Sequence, residues 1–259
     1  MPFAANQEVC IYYEVEGQGP PLVLQHGIAM SLEFWRHYGY VEALRKRYQL
    51  VLIDARGHGA SDKPHDPAAY RTELMAGDVL AVLYDLGITT AHYYGYSLGA
   101  AIGFEVARHS LPRLHSLILG GMSPYVSEVE QRYSVRVRQL LQMGLQVFVE
   151  MLEETSGLMS PEAKELLLDN DPQALRAASH AFQAWSGAED ILPSITAPCL
   201  VYAGAADFYR SGARQCVKRM PNATFVSLPD LSHATSFTRS DLVLPHVKKF
   251  LAAVGRAEQ

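Results

Sequence analysis

The sequence predicts an α/β protein with a doubly wound, mostly parallel sheet interrupted by one helical insertion. Three observations carry this. Short, continuous apolar runs recur at residues 22–25, 50–53, 93–96, 114–119, 200–203 and 223–228, as in parallel strands buried on both faces. Between them, residues 34–47, 74–86, 98–108 and 242–254 carry apolar side chains three and four positions apart, the spacing of helices that cover such a sheet. From 124 to 193 the alternation stops, leaving only amphipathic helical segments at 135–152, 161–169 and 172–185.

Taken in chain order, Val9, Ile11, Tyr13 and Val15 alternate as in a half-buried strand, closed by the turn residues Gly17, Gly19, Pro20 and Pro21, so a hairpin is expected to lead the chain. The six apolar runs then predict a sheet core made of residues 1–123 and 194–259, with 124–193 inserted as a helical cap. At 259 residues, 49% hydrophobic and 19% charged, the chain is long enough for one large core and far from the composition of disordered segments. No internal repeat or low-complexity segment is present.

Charge and targeting signals exclude several functions. Lys and Arg number 22 against 27 Asp and Glu, a net −5 with no basic run, which argues against nucleic acid as a partner. The opening residues have neither a basic nor an apolar leader segment, and no stretch approaches the roughly 20 apolar residues of a membrane span. Cys10, Cys199 and Cys216 are odd in number and widely spaced, suggesting neither a disulfide framework nor a zinc site. The expectation is a soluble cytoplasmic protein, monomer or homodimer, without a membrane partner.

The most informative segment is His92-Tyr-Tyr-Gly-Tyr-Ser97-Leu-Gly-Ala-Ala101, an apolar run entering G-x-S-x-G and then a helical pattern. Gly95 and Gly99 let strand and helix close on each other around a strained turn that lifts the Ser97 hydroxyl clear of the backbone. A serine hydroxyl is a weak nucleophile, so it needs a histidine base that a carboxylate orients. Asp207 and His233 lie just beyond two of the expected strands, at the same sheet edge as Ser97; Asp190 and Asp230 compete for the acid's place.

Together with Gly19-Pro-Pro-Leu-Val-Leu-Gln-His26-Gly27, Asp54-Ala-Arg-Gly-His-Gly-Ala-Ser-Asp62 and the loops after 199 and 228, this segment resembles the α/β-hydrolase family over nearly the whole chain. The resemblance implies the α/β-hydrolase fold, the chain order Ser97, Asp207, His233 for nucleophile, acid and base, and backbone N–H groups of Ile28 and Leu98 as the oxyanion hole. It implies a serine carboxylesterase working through an acyl-enzyme on small-molecule esters. Ser97 stands where haloalkane dehalogenases and epoxide hydrolases of the family carry Asp, and His26-Gly27-Ile28-Ala29-Met30 departs from the His-Gly-Gly-Pro-Gly loop of proline iminopeptidases. An enol-lactonase or C–C bond hydrolase of aromatic degradation on the same triad is the alternative, and a non-catalytic ligand-binding member a third.

No metal or cofactor is expected. His26, His58, Asp54 and Asp62 form no H-x-x-x-H or comparable cluster, and Gly57-His58-Gly59 lacks the lysine of a phosphate-binding loop. Ala29, Met30, Tyr125 and Trp185 are expected to wall the substrate pocket, with Phe148, Met143 and Met151 from the insertion. The eight-residue stripe Met143, Met151, Met159 also reads as ordinary packing. Such an apolar pocket without an arginine clamp suits neutral esters of short to medium chains, unless Arg56, Arg132, Arg136 or Arg138 turns inward.

Overall fold

The computed structural model describes residues 2–257. Met1 and residues 258–259 of the expected core segments therefore lie outside the described residues. Strands β1 (Phe3–Asn6), β2 (Val9–Glu16), β3 (Pro21–Gln25), β4 (Gln49–Ile53), β5 (Ala91–Tyr96), β6 (Leu114–Gly120), β7 (Cys199–Gly204) and β8 (Ala223–Leu228) form one sheet. Its order is β1-β2-β4-β3-β5-β6-β7-β8. The pairs β1–β2 and β2–β4 are antiparallel and all others parallel.

Side chains alternate across this sheet with period two, which sorts the core into two layers. On one face Val23, Val51, Tyr93, Leu117 and Val201 pack under α3 (Thr72–Asp85), α4 (Leu98–Ser110) and α9 (Arg210–Cys216). On the other, Leu24, Leu52, Tyr94, Ile118 and Tyr202 pack under α1 (Glu33–His37), α2 (Tyr40–Leu44), α10 (Thr235–Thr238) and α11 (Ser240–Ala257). Trp35 sits at the centre of the second layer, its ring 4.9 Å from that of Tyr94 and 5.0 Å from those of Tyr40 and Phe237.

Two local expectations are corrected. The leading hairpin turns at Gln7 (φ 57°) between β1 and β2, rather than at residues 17–21. Strand β3 is buried, and its two edges are taken by parallel neighbours, so β4 inserts between β2 and β3. The helical stretches 34–47 and 135–152 each break in two, because Gly39 and Gly144 take φ of 77° and 123°.

Four longer helices fill the interval between β6 and β7: α5 (Glu128–Met143), α6 (Leu145–Ser156), α7 (Pro161–Leu168) and α8 (Pro172–Phe182). Ser127 starts α5 with a reciprocal capping box to Glu130, a signal the sequence carries two helical turns ahead of the expected start. Ala174, Ala177 and Ala178 of α8 pack on Tyr70, docking the inserted helices onto the loop after β4.

The first part of that loop, residues 54–62, is the junction on which the site rests. The Asp54 carboxylate accepts the N–H of Leu32 at 2.7 Å and of Ala60 at 2.8 Å. Neutral His26 accepts the Ala55 N–H at 3.0 Å, and neutral His58 accepts the Ala29 N–H at 3.1 Å, their other ring nitrogens donating to backbone carbonyls. His58 thereby holds Ala29 at a left-handed φ of 61°. Complete burial pushes the His26 pKa down to about 4 and that of His58 down to about 3. Arg56 is buried and gives two hydrogen bonds, of 2.7 and 2.6 Å, to the equally buried Asp78. It is fully committed there and reaches no substrate cavity.

Two outcomes follow. Asp78→Ala strands a buried guanidinium and is expected to lower the unfolding free energy in urea by about 3–5 kcal/mol; a loss under about 1 kcal/mol would show the pair to be dispensable. The histidines set a pH dependence. Above pH 6.5 they are neutral whether folded or unfolded; below it the unfolded chain takes up protons that the folded chain refuses, down to about pH 4 for His26 and about pH 3 for His58. Stability is therefore lost on acidification from 6.5 towards 4, by about 1.4 kcal/mol per pH unit for each histidine. Asp54, whose pKa burial raises, opposes part of this slope. The difference between wild type and His58→Gln isolates the histidine: urea titrations across this range should give the variant the shallower loss.

Candidate active site

Strand β5 ends at Tyr96 and α4 starts at Leu98, so Ser97 alone makes the turn, with φ 53° and ψ −115°. The turn is this tight because its flanks touch. A Cβ on Gly95 would lie 2.2 Å from the Gly99 carbonyl oxygen, and one on Gly99 would lie 2.1 Å from that of Gln25. Ser97 is held from both sides by backbone: its N–H donates to Gly120 at 2.8 Å, and its carbonyl accepts from Ala100 and Ala101 at 2.9 and 3.1 Å.

The loops after β7 and β8 bring Asp207 and His233 to the same sheet edge. The Ser97 hydroxyl donates to His233 Nε2 at 3.0 Å, and His233 Nδ1–H donates to Asp207 Oδ2 at 3.1 Å. An ionised carboxylate only accepts, so Asp207 fixes the tautomer that leaves Nε2 free to take the serine proton. The second oxygen, Oδ1, accepts the Tyr209 N–H at 3.0 Å, so Asp207 is also held by the start of the α9 segment. The Tyr96 hydroxyl donates to the His233 carbonyl, and Tyr133 and Phe208, stacked with centroids 3.6 Å apart, flank the imidazole. The rival acids are placed elsewhere. Asp190 is bound by Arg108 at 2.5 and 2.9 Å, and Asp230 sits in a turn with φ 57°.

Ile28 and Leu98 border the small space beside Ser97, and among the described residues neither backbone N–H has a hydrogen-bond partner. Leu98 N–H is the first of α4, where unsatisfied amides and the helix dipole favour a negative oxygen.

Ser97 opens onto a cavity of about 370 Å³. Its walls are mostly apolar, with Met30, Phe34, Val137, Phe148, Met159 and Phe237 prominent; His37, Ser156 and Ser160 are polar points, and among the described residues no Lys or Arg lines it. Of the expected wall residues, Met30 and Phe148 are here. Ala29 is fully buried, pinned by His58 with its carbonyl bonded to Asn170. Tyr125 and Trp185 line a separate chamber of about 180 Å³, where the Trp185 indole N–H donates to Glu105 at 2.8 Å. The methionine stripe divides: the break at Gly144 separates exposed Met143 from Met151, which packs against the core, and Met159 lines the cavity from the loop between α6 and α7. Phe34, Tyr133 and Phe208 were not singled out from sequence; the only signal for Phe208 is its position directly after Asp207.

Among the described residues no group of three or more His, Cys, Asp or Glu side chains is placed to hold a metal ion, and no helix is long and apolar enough to cross a membrane.

Comparison with known proteins agrees with this architecture. A family model described as the alpha/beta hydrolase fold matches residues 20–165. The chain is 31% identical to a protein named carbamate hydrolase RutD from Azorhizobium caulinodans, covering 80% of this chain and 81% of that protein. It is 30% identical to 3-oxoadipate enol-lactonase 2 of Acinetobacter baylyi, covering 78% and 77% respectively. The crystal structure of an enol-lactonase from Burkholderia xenovorans superposes with a TM-score of 0.85 at 24% identity, covering 97% of this chain and 100% of the other. A sheet of this order, a strained G-x-S-x-G turn at its edge, and these likenesses have one reading: the chain belongs to the alpha/beta hydrolase family.

Proposed function

We propose that the protein is a serine hydrolase of neutral carboxylic esters. The observation that carries this reading is the continuous hydrogen-bond chain from Ser97 through His233 to Asp207 at the mouth of an apolar cavity. As Ser97 Oγ attacks the ester carbonyl, its proton passes to His233 Nε2 and the carbonyl electrons move onto oxygen, facing the N–H groups of Ile28 and Leu98. His233 returns the proton to the leaving alkoxide as the carbon–oxygen bond breaks. Water then repeats the sequence on the acyl-serine, with His233 as base, releasing the acid and restoring Ser97.

Neutrality of the substrate follows from the walls. Arg56 is locked to Asp78, Arg132 lies exposed beside Glu128, and neither Arg136 nor Arg138 lines the cavity. A substrate carboxylate would enter a mostly apolar space whose wall, among the described residues, holds no Lys or Arg and only the His37 and His233 imidazoles, at a desolvation cost of several kcal/mol. The lactonase relative supports a second reading, a lactone, which is a cyclic ester opened by the same groups; the same walls favour an uncharged one.

Ser97→Ala is expected to lower kcat for p-nitrophenyl butyrate by about 10³-fold or more and to abolish fluorophosphonate labelling, with folding retained. Asp207→Asn should cost about 10³–10⁴-fold while Asp190→Asn leaves the rate near wild type; the reverse order would move the acid to Asp190. In a competition of substrates, kcat/KM for p-nitrophenyl butyrate should exceed that for a lactone bearing a carboxylate. A preference for the anionic lactone would overturn the neutral-substrate reading.

A further inference from the structure

Two spaces that meet at Ser97 differ in size and in which catalytic group they border. The large cavity borders His233 as well as Ser97. On the other side, a neck of about 40 Å³ borders Ser97, Ile28 and Leu98 but not His233. The neck lies between α5 and α8 and shares Ser134, Phe182 and Tyr209 with the chamber of Tyr125 and Trp185, so the three spaces lie in line with those three side chains at the boundary of neck and chamber.

The direction of proton transfer assigns the arms. Protonated His233 must reach the leaving oxygen, so the alcohol lies on the side that His233 borders, in the large cavity. The acyl group extends the other way, past Leu98 into the neck. Size then limits what it can be. A cavity of about 150 Å³ holds a benzene ring. The neck, at about 40 Å³, is too small for a ring, whereas the chamber beyond it, at about 180 Å³, has room for one. Phe182 and Trp185, stacked at 5.5 Å and 23°, give the chamber with Tyr125 and Tyr209 an aromatic wall for a flat group; Glu130, Gln131, Ser134 and Gln183 are the polar points of the rest, and the buried Glu130 carboxylate disfavours an anionic substituent.

Resting on the ester-hydrolase reading above, we propose that the chamber of Tyr125, Phe182 and Trp185 is the distal acyl subsite. It selects uncharged acyl groups in which an unbranched spacer separates the ester carbonyl from a single aryl ring. Aroyl esters, whose ring joins the carbonyl directly, would have to seat that ring in the neck. Ser134, half-buried at the junction, is the specificity-determining residue.

The test compares kcat/KM of the full-length protein for methyl esters of acetic, benzoic and 3-phenylpropanoic acids, with fluorophosphonate labelling of Ser97 run alongside. The 3-phenylpropanoate should exceed the benzoate by about tenfold or more. Ser134→Phe, which fills the neck, should lower the ratio of 3-phenylpropanoate to acetate turnover by about tenfold. Ser134→Leu, a smaller plug, should lower it less, and the wild-type series reports even if neither variant folds. If Ser97 labels and esters turn over, but benzoate equals or exceeds 3-phenylpropanoate, or a folded Ser134→Phe keeps the wild-type ratio, the acyl subsite is overturned and the hydrolase reading stands. Absence of both labelling and turnover overturns the hydrolase reading itself.

Discussion

There is no room for one extra carbon at Gly95 or at Gly99, and the geometry of the site descends from that contact. Strand β5, helix α4 and the end of β3 meet backbone to backbone there. This forces the single residue between strand and helix into a left-handed conformation that side chains rarely adopt, at a cost of about 1–3 kcal/mol. Because Ser97 is the residue so placed, its hydroxyl projects from the sheet edge while its backbone stays bonded on both sides. The same contact sets the first turn of α4 against the loop after β3, which is why the Leu98 and Ile28 amides border one space.

A second constraint is the handling of charge. Among the buried ionisable groups near the site, His26 and His58 are neutral, Arg56 is matched by Asp78, and Asp54 is held by backbone N–H groups. Their work is to hold the loops at residues 28–32 and 54–62 in register. Among the described residues the cavity at Ser97 has no Lys or Arg in its wall, so in the proposed reaction a developing negative charge at Ser97 faces backbone dipoles and the His233 imidazole. In a space of low polarity such dipoles act strongly without attracting an anionic ground state.

The sheet was legible in the sequence because strands buried on both faces are written as unbroken apolar runs, and the six parallel strands fall where those runs lie, although β8, at the sheet edge, is only partly buried. Ser97, Asp207 and His233 were legible because a turn between strand and helix tolerates few residues, and because loops at one sheet edge converge. The first hairpin was not, since Phe3–Asn6 is a short edge strand with little apolar signal and partner choice across a sheet is not a local property. Nor were the walls. Periodicity marks which residues face inward, but the break at Gly144 resets the phase between Met143 and Met151, and Met159 follows the end of α6, where no period applies. Tyr125 and Trp185, expected in the wall of the pocket at Ser97, line the neighbouring chamber instead, because the chain pattern holds no trace of how Ser134, Phe182 and Tyr209 divide the spaces between α5 and α8.

The chain carries two tryptophans, and the fold puts one behind each arm. Trp35 touches the large cavity through Phe237, and Trp185 stands in the wall of the smaller chamber. Indole emission responds to the polarity and contacts of its surroundings. Occupancy of the two ends can therefore be read optically from the unlabelled protein, each end through its own chromophore, with single tryptophan-to-phenylalanine replacements telling the signals apart.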